Sequence, residues 1–230
     1  MKLTWFGHSG FRMEIGDQVL LIDPWFTGNP VFPEGARADA IKDATHILLT
    51  HGHGDHAADA AGIAAEQGIP IVAVHELAEL LGAKDGVEGM GMGKGGTLSL
   101  GDVRVTAVNA AHSSSIDFID GVQYAGEPSG FMIKGDGHTI YVSGDTDIMA
   151  DMEWMGEIHN PDIGILCCGG HYTMDMERAA YAAKKWFNFK TIVPCHYKTF
   201  PILAQTAAPL IDALPGVEVR ELEVMTLSEF

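Results

Sequence analysis

Between a short apolar run and an alanine-rich run lies the sequence Thr50-His51-Gly52-His53-Gly54-Asp55-His56. The preceding residues, Ile47-Leu48-Leu49, have the apolar character of a short buried strand. The residues that follow, from about His56 to Gln67, have the pattern of a helix. Because His51 and His53 are two residues apart, an extended backbone directs both imidazoles to the same side.

The turn between this strand and this helix has the composition of a metal site. Three imidazoles and one carboxylate lie within six residues, and Asp55 is expected where the helix begins. Such nitrogen and oxygen donors bind first-row divalent metals. Because four donors so close in sequence cannot all reach one tetrahedral ion, we expect a site for two ions. Clustered histidines without a cation would repel one another when protonated, which disfavours a purely structural role.

Length and composition indicate an ordinary globular protein. The chain has 230 residues, of which 47% are hydrophobic and 20% charged. No linker, repeat or low-complexity segment interrupts it, so we expect residues 1–230 to form a single domain. The net charge of −17 argues against nucleic acid as a partner, because such affinity comes largely from neutralising phosphates.

We expect a cytoplasmic protein that does not associate with membranes. The start, Met1–Gly7, lacks the apolar segment of a signal peptide, and no window contains 18 uninterrupted apolar residues. The three cysteines, Cys167, Cys168 and Cys195, lack the spacing of a disulfide framework. Assembly into a homo-oligomer is left open.

The remaining pattern predicts two runs of strands, each followed by helices. The expected strands are Leu3–Phe6, Phe11–Ile15, Val19–Ile22, Ile69–Val74, Thr97–Leu100, Val103–Val108, Phe131–Lys134, Thr139–Val142, Asp162–Cys168, Thr191–Pro194 and Val217–Leu222. The expected further helices are Glu76–Leu81, Ile148–Met155, Asp175–Phe187 and Leu203–Leu214. The glycine-rich segment Glu88–Gly96 lacks a phosphate-loop signature and is expected to be an extended turn.

Three further polar residues follow predicted strands directly: His112, Asp145 and His196. In α/β architectures, strand ends are where functional sites assemble. Taken alone, His112 would be interpreted as a turn histidine and His196 as a core residue beside Cys195. Asp145 alone would be a turn or helix-capping residue. Their position after strands, as for the histidine motif, makes each a candidate residue of the functional site.

The ordered set of motifs resembles the metallo-β-lactamase superfamily. It is most similar to the small metal-dependent hydrolases of bacteria and archaea related to ascorbate-6-phosphate lactonase. The resemblance covers almost the whole chain and rests on Gly7-His8-Ser9, Leu21-Ile22-Asp23-Pro24, residues 50–56, Ala111-His112-Ser113-Ser114, Tyr141-Val142-Ser143-Gly144-Asp145-Thr146, Tyr172-Thr173-Met174 and His196-Tyr197-Lys198-Thr199-Phe200-Pro201. It implies an α/β fold, a four-layer αββα sandwich with the site at one edge of its two sheets.

The resemblance also implies how the ligands are shared between two divalent ions. The first ion would be held by His51, His53 and His112, the second by Asp55, His56 and His196, and Asp145 would bridge them. Zn²⁺ is the first expectation, and Mn²⁺, Fe²⁺ and Ni²⁺ are alternatives because the donors do not select one metal. A hydroxide bridging the ions would be the nucleophile, and Asp55 would orient it and accept its proton.

Residues outside the ligand set are expected to contact the substrate or orient a ligand. His8 lies in a glycine turn that family members place near the site, although a lone histidine in such a turn is commonly structural. Ser113, Ser114 and Lys198 are expected to contact an anionic substrate group, and Tyr197 is a further candidate. The loop Trp25–Pro33 either overhangs a cleft or packs on the surface.

The leading hypothesis is a binuclear hydrolase that opens an ester, lactone or amide bond of a small metabolite. A metal-dependent phosphodiesterase or nuclease is the alternative, and the charge of −17 disfavours RNA as its substrate. A non-catalytic metal-binding scaffold is the alternative of another class. The complete set of candidate ligands weighs against it.

Overall fold

The computed structural model describes residues 1–118 and 121–230, with the backbone alone at residues 84 and 85. Its strands are β1 Lys2–Gly7, β2 Gly10–Ile15, β3 Gln18–Ile22, β4 His46–Leu48, β5 Ile71–Val74, β6 Gly89–Met92, β7 Thr97–Leu100, β8 Val103–Asn109, β9 Ser115–Ile116, β10 Gln123–Tyr124, β11 Ser129–Gly135, β12 His138–Val142, β13 Ile163–Cys167, β14 Thr191–Cys195, β15 Glu218–Val219 and β16 Leu227–Glu229. Its helices are α1 Arg37–Ile41, α2 Gly54–Ala57, α3 Ala60–Gln67, α4 His75–Asp85, α5 Met152–His159, α6 Met176–Trp186 and α7 Ala208–Ala213.

The strands form two seven-stranded sheets of similar design. The first has the order β16-β1-β2-β3-β4-β5-β6, and the second has the order β15-β14-β13-β12-β11-β8-β7. In each sheet, hairpin-connected antiparallel strands are followed by parallel strands, β3 to β6 in the first and β12 to β15 in the second. Parallel neighbours require crossover connections, which the helices supply.

Apolar side chains pack in two main layers. One cluster joins the two sheets, and its members include Phe11 and Met13 from the first sheet with Val105 and Phe131 from the second. The other lies between the first sheet and its helices, with Leu21, Ile47, Ile63 and Leu77 among its members. Helix α6 covers the second sheet through alanines that belong to the first cluster. The expected αββα sandwich is therefore confirmed.

None of the helices in the described ranges has the length and apolar content needed to cross a membrane.

The helix after the histidine motif is interrupted, contrary to the expectation of one helix from His56 to Gln67. Helix α2 begins at Gly54, so Asp55 lies in its first turn rather than at its cap. The break falls at Ala58 and Asp59. The Asp59 carboxylate accepts hydrogen bonds from the backbone N–H groups of Phe26 and Thr27, at 2.7 and 2.8 Å. The break therefore lets Asp59 anchor the loop that follows β3.

The expected helix Leu203–Leu214 is wrong in its first half, because α7 begins only at Ala208. The carbonyl oxygen of Ala204 accepts from Lys198 N, and Ala204 N donates to the carbonyl oxygen of Gly169. The backbone of this segment is therefore used to fix the loop after β14. Helix α5 begins at Met152 rather than Ile148, Glu88–Gly96 contains the edge strand β6, and strand β16 was not expected.

Close packing of Gly169 against the loop after β14 gives a test of this arrangement. A Cβ at Gly169 would lie 1.8 Å from the carbonyl oxygen of His196, whereas a Cβ at Gly62 in α3 would meet nothing within 4 Å. Gly169→Ala is expected to lower the free energy of unfolding by about 1–3 kcal/mol. The matched Gly62→Ala substitution should raise it by about 0.5–1 kcal/mol, because alanine favours a helix. Urea unfolding measures both, and equal stabilities would contradict the packing described.

Candidate metal centre

The candidate ligands meet at one edge of the sandwich because each follows a strand that ends there. His51 and His53 follow β4 of the first sheet. His112, Asp145 and His196 follow β8, β12 and β14 of the second sheet. The structure thus brings together all seven candidate ligands, including Asp55 and His56 at the start of α2.

One half of the centre consists of three imidazoles. Ligand atoms of His51, His53 and His112 lie within 4.8 Å of one another, close enough to share one ion. Nε2 of His51 lies 3.0 Å from Nδ1 of His53. His51 is fully buried, and burial is the main cause that lowers its pKa well below the ordinary value. The His51 ring is therefore suited to binding a cation rather than to holding a second proton.

The other half combines carboxylate and imidazole. Ligand atoms of Asp55, His56 and His196 form a second group within 4.8 Å, which His8 also joins. Oδ2 of Asp55 lies 3.9 Å from Nε2 of His56 and 3.8 Å from Nε2 of His196. Burial alone would raise the pKa of Asp55, but nearby His56 and the hydrogen bond from His8 lower it overall. Asp55 is therefore an ionised donor.

Asp145 lies between the two halves. Its Oδ2 atom is 3.0 Å from Nε2 of His196, 3.3 Å from His56, 3.7 Å from His112 and 4.0 Å from His51. Asp145 is buried, which by itself raises its pKa, yet His196 and His56 lower it well below the ordinary value. A single carboxylate oxygen thus faces imidazoles of both halves, which is the position expected of a bridging ligand.

The buried polar atoms of the centre fit a metal better than a network of hydrogen bonds. Among the described residues, Nε2 of His56, Nδ1 of His196 and Oδ1 of Asp145 are buried side-chain atoms without a hydrogen-bond partner. Buried polar atoms in native proteins are normally satisfied. Donors at ligand spacing, with Nε2 of His56 and Oδ1 of Asp145 left without a partner, are consistent with coordination of divalent metal ions.

Asp23 supports both halves, and its role was not identified from the sequence. Its Oδ2 atom lies 2.8 Å from Nδ1 of His56 and accepts a 2.6 Å bond from the Thr50 hydroxyl. The Thr50 oxygen is in turn 3.0 Å from Nδ1 of His51. Such contacts fix the orientation of ligating rings. The sequence signal was the motif Leu21-Ile22-Asp23-Pro24, which contributed to the family resemblance without giving Asp23 a role.

His8 holds Asp55. Nε2 of His8 lies 2.9 Å from Oδ2 of Asp55, and Nδ1 lies 3.0 Å from the hydroxyl oxygen of Thr199. Burial lowers the pKa of His8 to about 4, so the ring is neutral near pH 7. The carboxylate can only accept, so Nε2 of the neutral ring carries the proton. The Thr199 hydroxyl oxygen lies 3.0 Å from Nδ1 of His8 and 3.1 Å from the carbonyl oxygen of Tyr197. The structure thus favours the expectation that His8 orients a ligand.

Three residues of the centre have left-handed backbone conformations. The φ angles of His8, Asp23 and His196 are 55°, 44° and 56°. Residues other than glycine adopt such angles only when surrounding structure enforces them, and they concentrate at functional sites. These turns direct side chains from different strand ends toward one point.

The four residues that were expected to contact the substrate do not all lie at the pocket above the centre. Ser113 lines the pocket above the centre, and its hydroxyl oxygen lies 3.3 Å from Nε2 of His53. Ser114 is buried, accepts from Gly52 N and donates to the carbonyl oxygen of Ala125, so it supports the histidine turn.

The expectation for Tyr197 and Lys198 is corrected by the structure. The Tyr197 ring is buried and stacked on Trp5, and its hydroxyl donates to Glu221. The ammonium group of Lys198 donates to the same carboxylate oxygen. Neither residue lines the pocket. The positive φ of His196 and of Lys198 reverses the backbone here and separates these side chains from the ligand beside them.

The pocket above the centre encloses about 590 Å³, a volume typical of small-molecule sites. The residues that line it are Trp25, His53, Asp55, His112, Ser113, Asp117, Asp145, Tyr172, His196, Phe200 and Ile202. Trp25 shows that the loop after β3 does contribute to the cleft. The Trp25 side chain is 7% exposed, and its ring nitrogen donates to the carbonyl oxygen of Thr27.

Comparison with known proteins agrees with this geometry. The family model described as the beta-lactamase superfamily domain matches residues 18–197. The chain belongs to the metallo-β-lactamase superfamily. It is 64% identical over 225 residues to a "UPF0173 metal-dependent hydrolase" of Paracoccus denitrificans, covering 98% of both chains. A relative of the same description from Dinoroseobacter shibae is 62% identical and covers 100% of both chains. Within the superfamily, this protein is thus one of the metal-dependent hydrolases.

Two solved structures with the same fold differ in their sequence identity to this protein. Igni18, described as a novel metallo hydrolase from the archaeon Ignicoccus hospitalis, is 32% identical, with a TM-score of 0.86 and coverage of 100% of this chain and 98% of its own. CmlA, a diiron β-hydroxylase from Streptomyces venezuelae, is 14% identical with a TM-score of 0.76, covering 100% of this chain and 54% of its own. The second likeness shows the fold alone.

The role of Asp23 predicts a loss of metal affinity on substitution. Asp23→Asn would place an amide N–H group against the donors of Thr50 and His56, and is expected to weaken Zn²⁺ binding about 10–100-fold. Competition with a chromophoric chelator measures this change.

Asp162 offers a matched control for that experiment. It lies 2.9 Å from Nδ1 of His138 and accepts from Thr139 N at 2.8 Å, a similar pair away from the centre. Asp162→Asn should therefore leave the Zn²⁺ affinity unchanged. Equal affinities of the Asp23→Asn variant and the unsubstituted protein would contradict the proposed support of the ligands by Asp23.

Proposed function

We propose that this hydrolase uses two divalent metal ions to open an ester, lactone or amide bond in a small molecule. His51, His53 and His112 would hold one ion, Asp55, His56 and His196 would hold the other, and Asp145 would be shared. The observation that carries the proposal is the position of Asp145 Oδ2, within 4.0 Å of imidazole nitrogens from both groups.

Zn²⁺ is the proposed metal, with Mn²⁺, Fe²⁺ and Ni²⁺ as alternatives. The donors are imidazole and carboxylate without thiolate, which suits all four. When bound, such ions lower the pKa of a coordinated water and polarise the oxygen of the bond to be cleaved. The thiol of Cys195, which precedes a ligand, is buried, and burial raises its pKa well above the ordinary value. It is suited to neither ligation nor nucleophilic attack.

Asp55 is the proposed general base. Its carboxylate lines the pocket, so it can orient an attacking water and accept a proton from it. The N–H group of His8 fixes one oxygen of that carboxylate, which limits the directions from which the other can act. Asp55 can then give the proton that it accepted from the water to the leaving group. It would thus act as a base in the first half of hydrolysis and as an acid in the second half.

The choice of an ester, lactone or amide rests on the resemblance to lactonases. A panel of 4-nitrophenyl esters, lactones, amides and bis-4-nitrophenyl phosphate tests it with the Zn²⁺- and Mn²⁺-loaded protein. Ester or lactone turnover is expected, and Asp55→Ala should lower kcat about 10²–10⁴-fold or more, because it removes both the proposed base and a proposed metal ligand. His138→Ala changes a histidine outside the pocket and should leave kcat unchanged.

Two results would overturn this proposal. Turnover of the phosphodiester alone, lost in Asp55→Ala and His112→Ala, would assign the site to phosphodiester cleavage. Binding of both metals without turnover of any compound class would favour a non-catalytic metal-binding role.

Because His8 is proposed to orient Asp55 rather than to bind a metal, its substitution should change kcat but not the metal content. His8→Ala should retain two equivalents of metal while kcat falls about 10–100-fold, because the ligand carboxylate loses its partner. Metal analysis of the gel-filtered protein and steady-state kinetics measure the two quantities. Since His8 also lies within ligand distance of Asp55, His56 and His196, loss of one equivalent would instead make it a ligand.

A further inference from the structure

The outer part of the pocket differs in chemistry from the metal centre below it. Trp25 and Phe200 form one wall, and Tyr172 and Ile202, with exposures of 59% and 56%, surround the opening. Asp117 is the exposed acidic group of this outer part. Asp117 belongs to none of the groups of side chains at ligand spacing.

The apolar wall is continuous with the half of the centre that contains Asp55. The His8 ring is 5.3 Å from the Trp25 ring and 5.7 Å from the Phe200 ring, and the last two are 6.1 Å apart. Hydrogen bonds hold both aromatic residues in place, from Trp25 Nε1 to the carbonyl oxygen of Thr27 and from Gln205 to the carbonyl oxygen of Phe200. A substrate group extending outward from Asp55 therefore meets a fixed aromatic surface.

The part of the outer pocket that the structure describes offers no basic side chain to pair with a negative charge. Of the described residues that line it, none is lysine or arginine. Lys198, the basic residue nearest in sequence to a ligand, is paired with Glu221 instead. The carboxylate of Asp117 would face an anionic substituent, and an unpaired like charge of this kind discriminates strongly between ligands.

We propose that the outer pocket selects substrates whose group distal to the cleaved bond is uncharged and apolar, and that Asp117 disfavours those with an anionic group. This inference rests on the proposed function, since it assigns a substrate class to the same site. It reverses the expectation, based on Ser113, Ser114 and Lys198, of an anionic substrate group. Burial of an apolar chain on Trp25 and Phe200 supplies the favourable part of the selection.

Three esters of equal chain length and identical leaving group test the proposal: 4-nitrophenyl hexanoate, 4-nitrophenyl hydrogen adipate and 4-nitrophenyl 6-aminohexanoate. For the Zn²⁺-loaded protein, kcat/KM for the hexanoate should exceed that for the adipate about 10-fold or more. Asp117→Asn should reduce this ratio. Glu79→Gln, which removes an exposed charge outside the pocket, should leave it unchanged.

Binding of the corresponding amides separates this proposal from the proposed function. Hexanamide should bind the Zn²⁺-loaded protein about 10-fold more tightly than adipamic acid in calorimetry, and Trp25→Ala should remove most of this preference. Absence of turnover of every ester, lactone and amide, together with selective binding of hexanamide, would refute the proposed function alone. Equal or better use of the adipate with the same order between the two amides would overturn the assignment of an uncharged apolar group. Equal or better use of the aminohexanoate would overturn it as well.

Discussion

The contact of one Asp145 oxygen with imidazoles from both sheets is the interaction on which the centre depends. Asp145 and His196 follow strands of the second sheet, whereas His51 and His56 follow a strand of the first. The preceding Gly144 has a φ of 59°, and a Cβ there would lie 2.7 Å from the carbonyl oxygen of Ser129. Only glycine permits this turn without strain, so the backbone is adapted to bring the carboxylate into the space between the sheets.

A layer of supporting residues gives the ligands fixed orientations. Asp23 and Thr50 connect the outer nitrogens of His51 and His56, and Thr199 and His8 connect the loop after β14 to Asp55. Since these supports follow four different strands, β1, β3, β4 and β14, the geometry of the centre is determined by the packing of both sheets. Preorganisation of this kind is what a hydrolytic site requires, because little reorganisation then remains for the reaction.

Local signals in the sequence were sufficient for most strands, because these are short apolar runs, and the resemblance to the superfamily supplied the αββα sandwich. Polar residues after those runs drew attention to His112, Asp145 and His196, and the resemblance supplied their expected role as ligands. The break at Asp59 and the irregular segment before Ala208 were not predictable, because each depends on hydrogen bonds to distant backbone. The directions of the Tyr197 and Lys198 side chains depend on the positive φ angles of His196 and Lys198, which cannot be predicted from residue type. Asp23 was missed for a related reason: its partners are 27 and 33 residues away.

The central claim is that two groups of ligands, joined by Asp145, hold two separate ions. The most direct measurement is anomalous diffraction from crystals of the Zn²⁺-loaded protein, recorded on both sides of the zinc absorption edge. The account predicts two anomalous peaks, one among His51, His53 and His112 and one among Asp55, His56 and His196. A single peak with every ligand in place would contradict it.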